Sequence, residues 1–336
     1  MKVLITGATG RLGPNLVKVL VEKGHNVTAL VEPGDTRASK FKGMDVHVVE
    51  GSIADRDVCL KAVEGQEAIY HLGAIMGARD NYLGFDVNLA ATFYLLEAAA
   101  KKCPNLHRFV FASSDVCIPH GGEMPDVIPW QTTVEPVGMY TLSKRIGEIL
   151  CYSYFRSNKI PTVCVRFPYM IGIGEVLQLP IKRWFLVSNH RGRFNVKDPT
   201  PEQKEAIDKF RSLDKGDEEQ LILPRCMNGL GYKKHTGDVR DIVQGLLLAL
   251  EKDEALGLAF PLPGVPFRWD LGVPYMAEKL GRDYIDVKVP GTGTYYEYDL
   301  SKAREVLGYN PIHDEKSSID IALAVLSGED TGWFPI

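Results

Sequence analysis

Residues 2–24, KVLITGATGRLGPNLVKVLVEKG, constrain the fold more than any other stretch of the 336-residue chain. A short aliphatic and β-branched run, KVLIT, leads directly into Gly7, Gly10 and Gly13 and then into an amphipathic segment. Pro14 suits the first turn of a helix, Leu16, Val17, Val19 and Leu20 supply one apolar side, and Gly24 stands where a left-handed C-terminal cap belongs. Strand, glycine turn and helix in that order form the opening of a βαβ unit. The glycines permit a tight turn and a close approach to the unpaired N–H groups of the helix N-terminus, which suits a pyrophosphate. A plain strand-to-helix turn is the alternative, but the context that such a motif requires, strand before and helix after, is present.

The same rhythm continues. NVTALV, DVHVV, AIYHL, HRFVFA and PTVCVRF are spaced by amphipathic stretches, which predicts an α/β protein with a doubly wound parallel sheet and helices on both faces. Residues 188–220 are polar and charged, with a helix expected after Pro201, and read as a solvated surface insertion. YKKHTGDVRDIVQGLLLALEKD returns to a capped amphipathic helix, and AFPLPG to a last strand and turn. With 45% hydrophobic residues the chain can bury a large core, as one big domain or two interlocked ones. A net charge of −4 argues against nucleic acid or a membrane surface as partner, and leaves small molecules. The six cysteines lie in no C-x-x-C spacing, so neither a metal site nor a disulfide framework is expected. Without a leader-like start or an apolar run of about 18 residues, the expected location is cytoplasmic.

A tyrosine one helical turn ahead of a lysine can act as an acid/base pair, and this spacing occurs at Tyr140, Tyr275, Tyr284 and Tyr298. Spacing alone does not choose among them. The strand HRFVFASSDVC ends in Ser113, Ser114 and Asp115, and in open α/β sheets ligands bind beyond the carboxyl ends of strands. Tyr140 follows 26 residues after Ser114, opening a helical pattern on which Tyr140, Lys144 and Glu148 share a face. The other three copies lie in the less regular C-terminal third, with no strand-end serine upstream.

The Gly-x-x-Gly-x-x-Gly loop and YTLSK together resemble the extended short-chain dehydrogenase/reductases, the NAD-dependent epimerase/dehydratase family. The resemblance implies a Rossmann-type sheet domain, residues 1–175 and about 236–260, and a smaller substrate-binding region, about 176–235 and 261–336. It implies Ser114, Tyr140 and Lys144 as the catalytic set. Cofactor contacts are expected at Gly7, Thr9, Gly10, Arg11, Leu12 and Gly13 in the loop and at Ser52 and Ile53 in EGSIAD. Leu72, Gly73 and Ala74 in YHLGA, Asn88 at a helix start, and Phe167 and Pro168 in VRFPYMIG complete that set with Tyr140 and Lys144. Glu32, 19 positions after Gly13, favours NAD, because an acid there accepts bonds from ribose hydroxyls and repels a 2′-phosphate. Arg37 is close enough to keep NADP open. Met76, Ser114, Asp115, Tyr169 and Arg183 are the expected substrate contacts. Lys182, Arg191 and Arg193 are further cations that, with Arg183, either meet an acidic group or form a solvated basic face. YDLSK, with Tyr298, resembles a C-terminal segment whose helix is structural. A homodimer through two helices per subunit is also implied.

The resemblance further implies a charge-driven mechanism. A free tyrosine titrates near pH ~10, and the Lys144 cation with an oxidised nicotinamide favours its phenolate. Tyr140 then exchanges the proton of a substrate hydroxyl while hydride passes between carbon and nicotinamide. Val116 and Cys117 stand where sugar dehydratases carry a second acid, Tyr169 replaces a common Asn, and the usual Gln-Arg-Asp of diphosphate-sugar enzymes is missing. The expectation is therefore an oxidoreductase acting on a secondary alcohol of a small sugar-like or polyhydroxylated compound. A sugar or nucleotide-sugar epimerase retaining NAD, and a non-catalytic redox sensor, are the alternatives.

Overall fold

A computed structural model describes residues 1–77, 80–117, 126–133, 135–157, 159–178, 181–291 and 293–336. Seven strands form its main sheet: β1 (Lys2–Thr6), β2 (Asn26–Val31), β3 (Val46–Glu50), β4 (Ala68–His71), β5 (Arg108–Ser114), β6 (Thr162–Phe167) and β7 (Ala259–Pro261). They run in the order β7-β6-β5-β4-β1-β2-β3, every neighbouring pair parallel. The order reverses at β1, and there the crevice for a ligand opens above the strand ends. The register sets Thr6 beside His71 and Ser114 beside Phe167, so these residues share the carboxyl edge.

Alternation along the strands explains why both faces are dry. Val3 and Ile5 join one core, with α1 (Gly13–Glu22) and a helix over Val239–Glu251, while Leu4 joins the other. That second face is covered by helices over Arg56–Ala62, Ala91–Lys102 and Met139–Arg156. Parallel strands covered on both sides read as near-continuous apolar runs, as these do.

A separate apolar core lies around a parallel pair, Leu221–Arg225 with Tyr284–Lys288, and the helix Trp269–Leu280. The polar stretch after residue 188 contributes to it, contrary to its reading as a solvated insertion. Phe194 stacks on Phe210 with ring centroids 3.7 Å apart, and Ala206, Ile207 and Phe210 form the buried side of the helix Pro201–Leu213. Charges on the outer face of that helix dominate its composition and conceal the apolar positions. The helix Ser301–Leu307 carries Ala303 and Leu307 into the sheet's own core, so YDLSK does open a packing helix. Finally the chain end returns to α1. Asn15 accepts the Phe334 N–H at 2.7 Å and donates to its carbonyl at 3.1 Å.

Candidate active site

The glycine loop is shaped by close packing. Gly7 has φ +69°, and a Cβ there would lie 2.7 Å from the backbone nitrogen of Gly73; at Gly13 one would lie 2.4 Å from the carbonyl oxygens of Gly7 and Ala8. Side chains at either position would open the turn between β1 and α1. With the loop compact, Gly7, Gly10, Arg11, Leu12 and Gly13 line one end of a 670 Å³ cavity. A dinucleotide fits this end: the start of α1 offers N–H groups where a pyrophosphate would lie.

A buried hydrogen-bond chain fixes the neighbouring strand ends. The Gly73 N–H donates to Thr6 Oγ1 at 3.1 Å, Thr6 Oγ1 meets His71 Nδ1 at 2.8 Å, and His71 Nε2 meets Thr92 Oγ1 at 3.0 Å. Thr92 in turn donates to the Asn88 carbonyl at 2.8 Å. Each hydroxyl has one proton to give, so the pattern assigns His71 as the neutral ring with Nε2 protonated. Burial, and then the Lys144 charge, push its pKa down to about 3. Asn88 braces the loop through both the N–H and the C=O of Ile75, at 2.8 and 2.9 Å. Leu72, Ala74 and Met76 thereby face the cavity, Met76 largely exposed.

The residues expected at the ribose, Glu32, Ser52 and Ile53, do not line that cavity. The Ser52 hydroxyl donates to the exposed Glu32 at 3.1 Å, and Ile53 packs beneath Gly73. Thr9 donates to Asp35 Oδ2 at 2.6 Å. Arg37 is held by both oxygens of Asp35, each at 2.8 Å, and this bidentate bond keeps the Asp35 carboxyl well below the usual carboxylate range. The cation that kept NADP open is thus already committed to a carboxylate.

Ser114, Tyr140 and Lys144 line the same cavity together. Gly138, at φ +83° and ψ 162°, starts the helix Met139–Arg156, and that extended left-handed backbone is essentially restricted to glycine. Two residues later Tyr140 stands at the helix mouth. Lys144 is 3% exposed; its ammonium donates to the Ala112 carbonyl at 2.7 Å and lies 5.8 Å from the Tyr140 ring centroid. Glu148, on the same helix face, is part of the scaffold: it receives Ser113 Oγ at 2.7 Å and both Arg166 Nε and Nη2, at 2.8 and 3.0 Å. Burial would raise its pKa, but the Arg166 bonds and charge together with Ser113 hold it low. Ser114 Oγ lies 3.4 Å from Asp115 Oδ1.

The sequence pattern that defines the NAD dependent epimerase/dehydratase family matches residues 3–258. The chain belongs to this family. Across 97% of its length it is 25% identical to an uncharacterized UDP-glucose epimerase of Bacillus subtilis, covering 98% of that protein. Over 49% of its length it is 33% identical to a D-erythronate dehydrogenase of Cupriavidus necator, and that match spans about half of the relative, 56%. Among solved structures, a short-chain dehydrogenase/reductase superfamily protein of Agrobacterium tumefaciens with bound NAD superposes with a TM-score of 0.80 at 29% identity, covering 98% of both chains. A UDP-glucuronic acid 4-epimerase from Bacillus cereus shares the fold, with a TM-score of 0.70 at 19% identity over 97% of this chain and 99% of that one.

Within this family framework the end of the cavity expected to hold substrate differs from the sequence reading. Tyr298, read as a structural look-alike, reaches the site: its buried hydroxyl donates to Asp115 Oδ2 at 2.9 Å. Arg183 is exposed and does not line the cavity, because the 3-10 turn Lys182–Phe185 buries Phe185 instead. Lys182 pairs with Glu219, Arg191 with Asp214 and Glu218, and Arg193 donates to the Tyr232 hydroxyl at 2.9 Å. Lys234, which no sequence argument singled out, does line the cavity beside Phe167, Pro168 and Tyr169. The only sequence signal for it was the pair of lysines in GYKKHTGD, where alternation along a short strand sends neighbours to opposite sides. At the boundary of loop and lobe, Arg11 donates to the buried Glu175 at 2.7 Å and lies over the Tyr169 ring at 5.8 Å.

Proposed function

We propose that this enzyme is an NAD-dependent oxidoreductase acting on a secondary alcohol or ketone of a small sugar-like or polyhydroxylated substrate. The observation that carries the reading is that Ser114, Tyr140 and Lys144 face one cavity whose other end is the glycine cradle. Bound in that cradle, NAD supplies a hydride acceptor at the nicotinamide C4. Lys144, fixed on the Ala112 carbonyl, brings a positive charge to the Tyr140 ring and favours its phenolate. Tyr140 takes the hydroxyl proton as the substrate carbon gives up hydride, and Ser114 donates to the same oxygen; the alcohol becomes a ketone. Glu32 at the ribose end and the commitment of Arg37 to Asp35 support NAD over NADP. In this reading the sheet-bearing part holds the cofactor and the smaller lobe the substrate.

Net chemistry separates the reading from its alternative, an NAD-retaining epimerase, which the whole-length match to the Bacillus subtilis protein favours. With excess NAD⁺ and a panel of sugars, sugar acids and nucleotide sugars, we expect net NADH at 340 nm; product without net NADH establishes the epimerase. Tyr140→Phe should lower turnover by ~10² or more while NADH binding, followed by fluorescence, persists. Retained turnover would defeat the assignment. A homodimer is part of the proposal, supported by Phe93, Ile149 and Tyr152, which are 43%, 53% and 50% exposed on the helices Ala91–Lys102 and Met139–Arg156. So is a cytoplasmic setting, supported by the five free cysteines that are buried among the described residues.

A further inference from the structure

Lys233 and Lys234 form a two-residue strand paired with Phe267–Arg268. Their side chains meet different surroundings. Lys233 pairs with Glu297 at 3.2 Å and lies 4.3 Å from the Tyr295 ring centroid. Lys234 is mostly buried, with its ammonium 4.8 Å from the Tyr169 centroid and 4.6 Å from that of Trp184. Among the described residues it has no hydrogen-bond acceptor and no carboxylate within ion-pair distance. The ammonium is not sealed in the core: it reaches the cavity between two aromatic faces, which make up only part of the hydration it has lost. Burial accordingly pulls its pKa down, with Asp115 acting in the opposite sense. Asp115 is the carboxylate whose charge acts on Lys234, but the two form no ion pair and Asp115 is engaged by the Tyr298 hydroxyl.

The place of Lys234 tells what the charge is for. It lines the 670 Å³ cavity that holds Ser114 and Tyr140, and it also lines an adjoining 190 Å³ cavity with Arg193, Tyr232 and Thr294. A ligand with a hydroxyl against Ser114 and Tyr140 and an anion at its far end would put that anion on Lys234. We infer that Lys234 is the anchor for a substrate carboxylate, so that the substrate is a small polyhydroxylated acid rather than a neutral sugar. The inference rests on the proposed oxidoreductase reading and names its substrate class. A carboxylate is favoured over a phosphate because one ammonium balances its single charge, whereas the second charge of a phosphate would be left uncompensated beside the Tyr169 and Trp184 rings. The cavity must also admit the cofactor's pyrophosphate and nicotinamide, which leaves space for a short carbon chain.

The test measures binding and turnover side by side. Calorimetric titrations of the NADH-loaded enzyme compare four- to six-carbon aldonates, the matching alditols and the matching sugar phosphates; the same compounds are then assayed with NAD⁺. We expect an aldonate to bind at least about tenfold tighter than its alditol. Lys234→Met should abolish that preference, and Lys234→Arg should keep most of it, with both folds checked by circular dichroism. Equal binding of acid and alcohol, no aldonate binding, a preference that survives Lys234→Met, or tighter Lys234-dependent binding of sugar phosphates would each overturn the inference. Lys234-dependent aldonate binding without NADH formation would uphold the anchor and sink the dehydrogenase reading. Oxidation of alditols and aldonates alike would do the reverse.

Discussion

At the scale of single residues, the hydroxyl of Tyr298 ties the C-terminal third of the chain to the substrate end. It donates to a carboxylate that also lies within 3.4 Å of the Ser114 hydroxyl, so it positions Asp115 without touching the reacting atoms. Burial, followed by the Asp115 charge, pushes its pKa far above the tyrosine range, which excludes it as a base and leaves it a donor. Tyr298→Phe leaves the Asp115 carboxylate short of a partner, at a cost of ~1.5–3 kcal/mol for a hydrogen bond to a charged group. The expected outcome is a several-fold fall in kcat/KM and a lower Tm, with NADH affinity unchanged. An unchanged kcat/KM in that variant would return Tyr298 to a purely packing role.

At the scale of elements, the helix Met139–Arg156 sets the geometry of the proposed catalytic pair. It presses on β5 at Gly147, where an added Cβ would fall 2.3 Å from the tip of the buried Phe111 ring. The same ring lies 5.2 Å from the Lys144 ammonium. Gly147→Ala must either tilt Phe111 or lift the helix, and overpacking of this kind costs ~1–3 kcal/mol. Because the helix carries Tyr140 and Lys144 while β5 carries Ser114, both Tm and kcat should fall together. A variant with a lowered Tm and full kcat would show that the ring yields and the helix does not move. The Glu148–Arg166 pair holds the same helix against β6.

For the whole molecule, the buried neutral histidines set a pH limit on stability, His71 and His235 most strongly and His190 in the same direction. His71 sits between two threonines, and His235 accepts the Tyr298 N–H at 2.7 Å and meets the Gly264 carbonyl at 2.7 Å. Burial lowers their pKa values to about 3 and about 4, against 6.5 for the free side chain. The unfolded chain therefore binds protons that the folded chain refuses. The stability these groups contribute is complete above pH 6.5 and declines as pH falls toward 4, by up to ~1.4 kcal/mol per pH unit for each. Urea midpoints at pH 7.5, 6 and 5 should fall steadily, above the range in which carboxylates such as Glu148 begin to titrate. A flat profile from pH 7 to 5 would mean that one or both rings are charged in the fold.

Periodicity and punctuation alone determined the parallel sheet, the glycine turn and the helix that opens at Tyr140, because these follow from local sterics and alternation of apolar residues. The glycine cradle was readable for the same reason, since it lies between the first strand and the first helix. The chain folding in three dimensions decided the substrate end. Tyr298 meets Asp115 across 183 positions and Lys234 meets Tyr169 and Trp184 across 65 and 50, and neither pairing leaves a trace in local pattern. Basic residues around 182–193 looked available by composition, yet acidic partners up to 37 positions away claim Lys182 and Arg191. Charge can be counted in a sequence, but which charge is left facing a cavity depends on where the fold brings its partners.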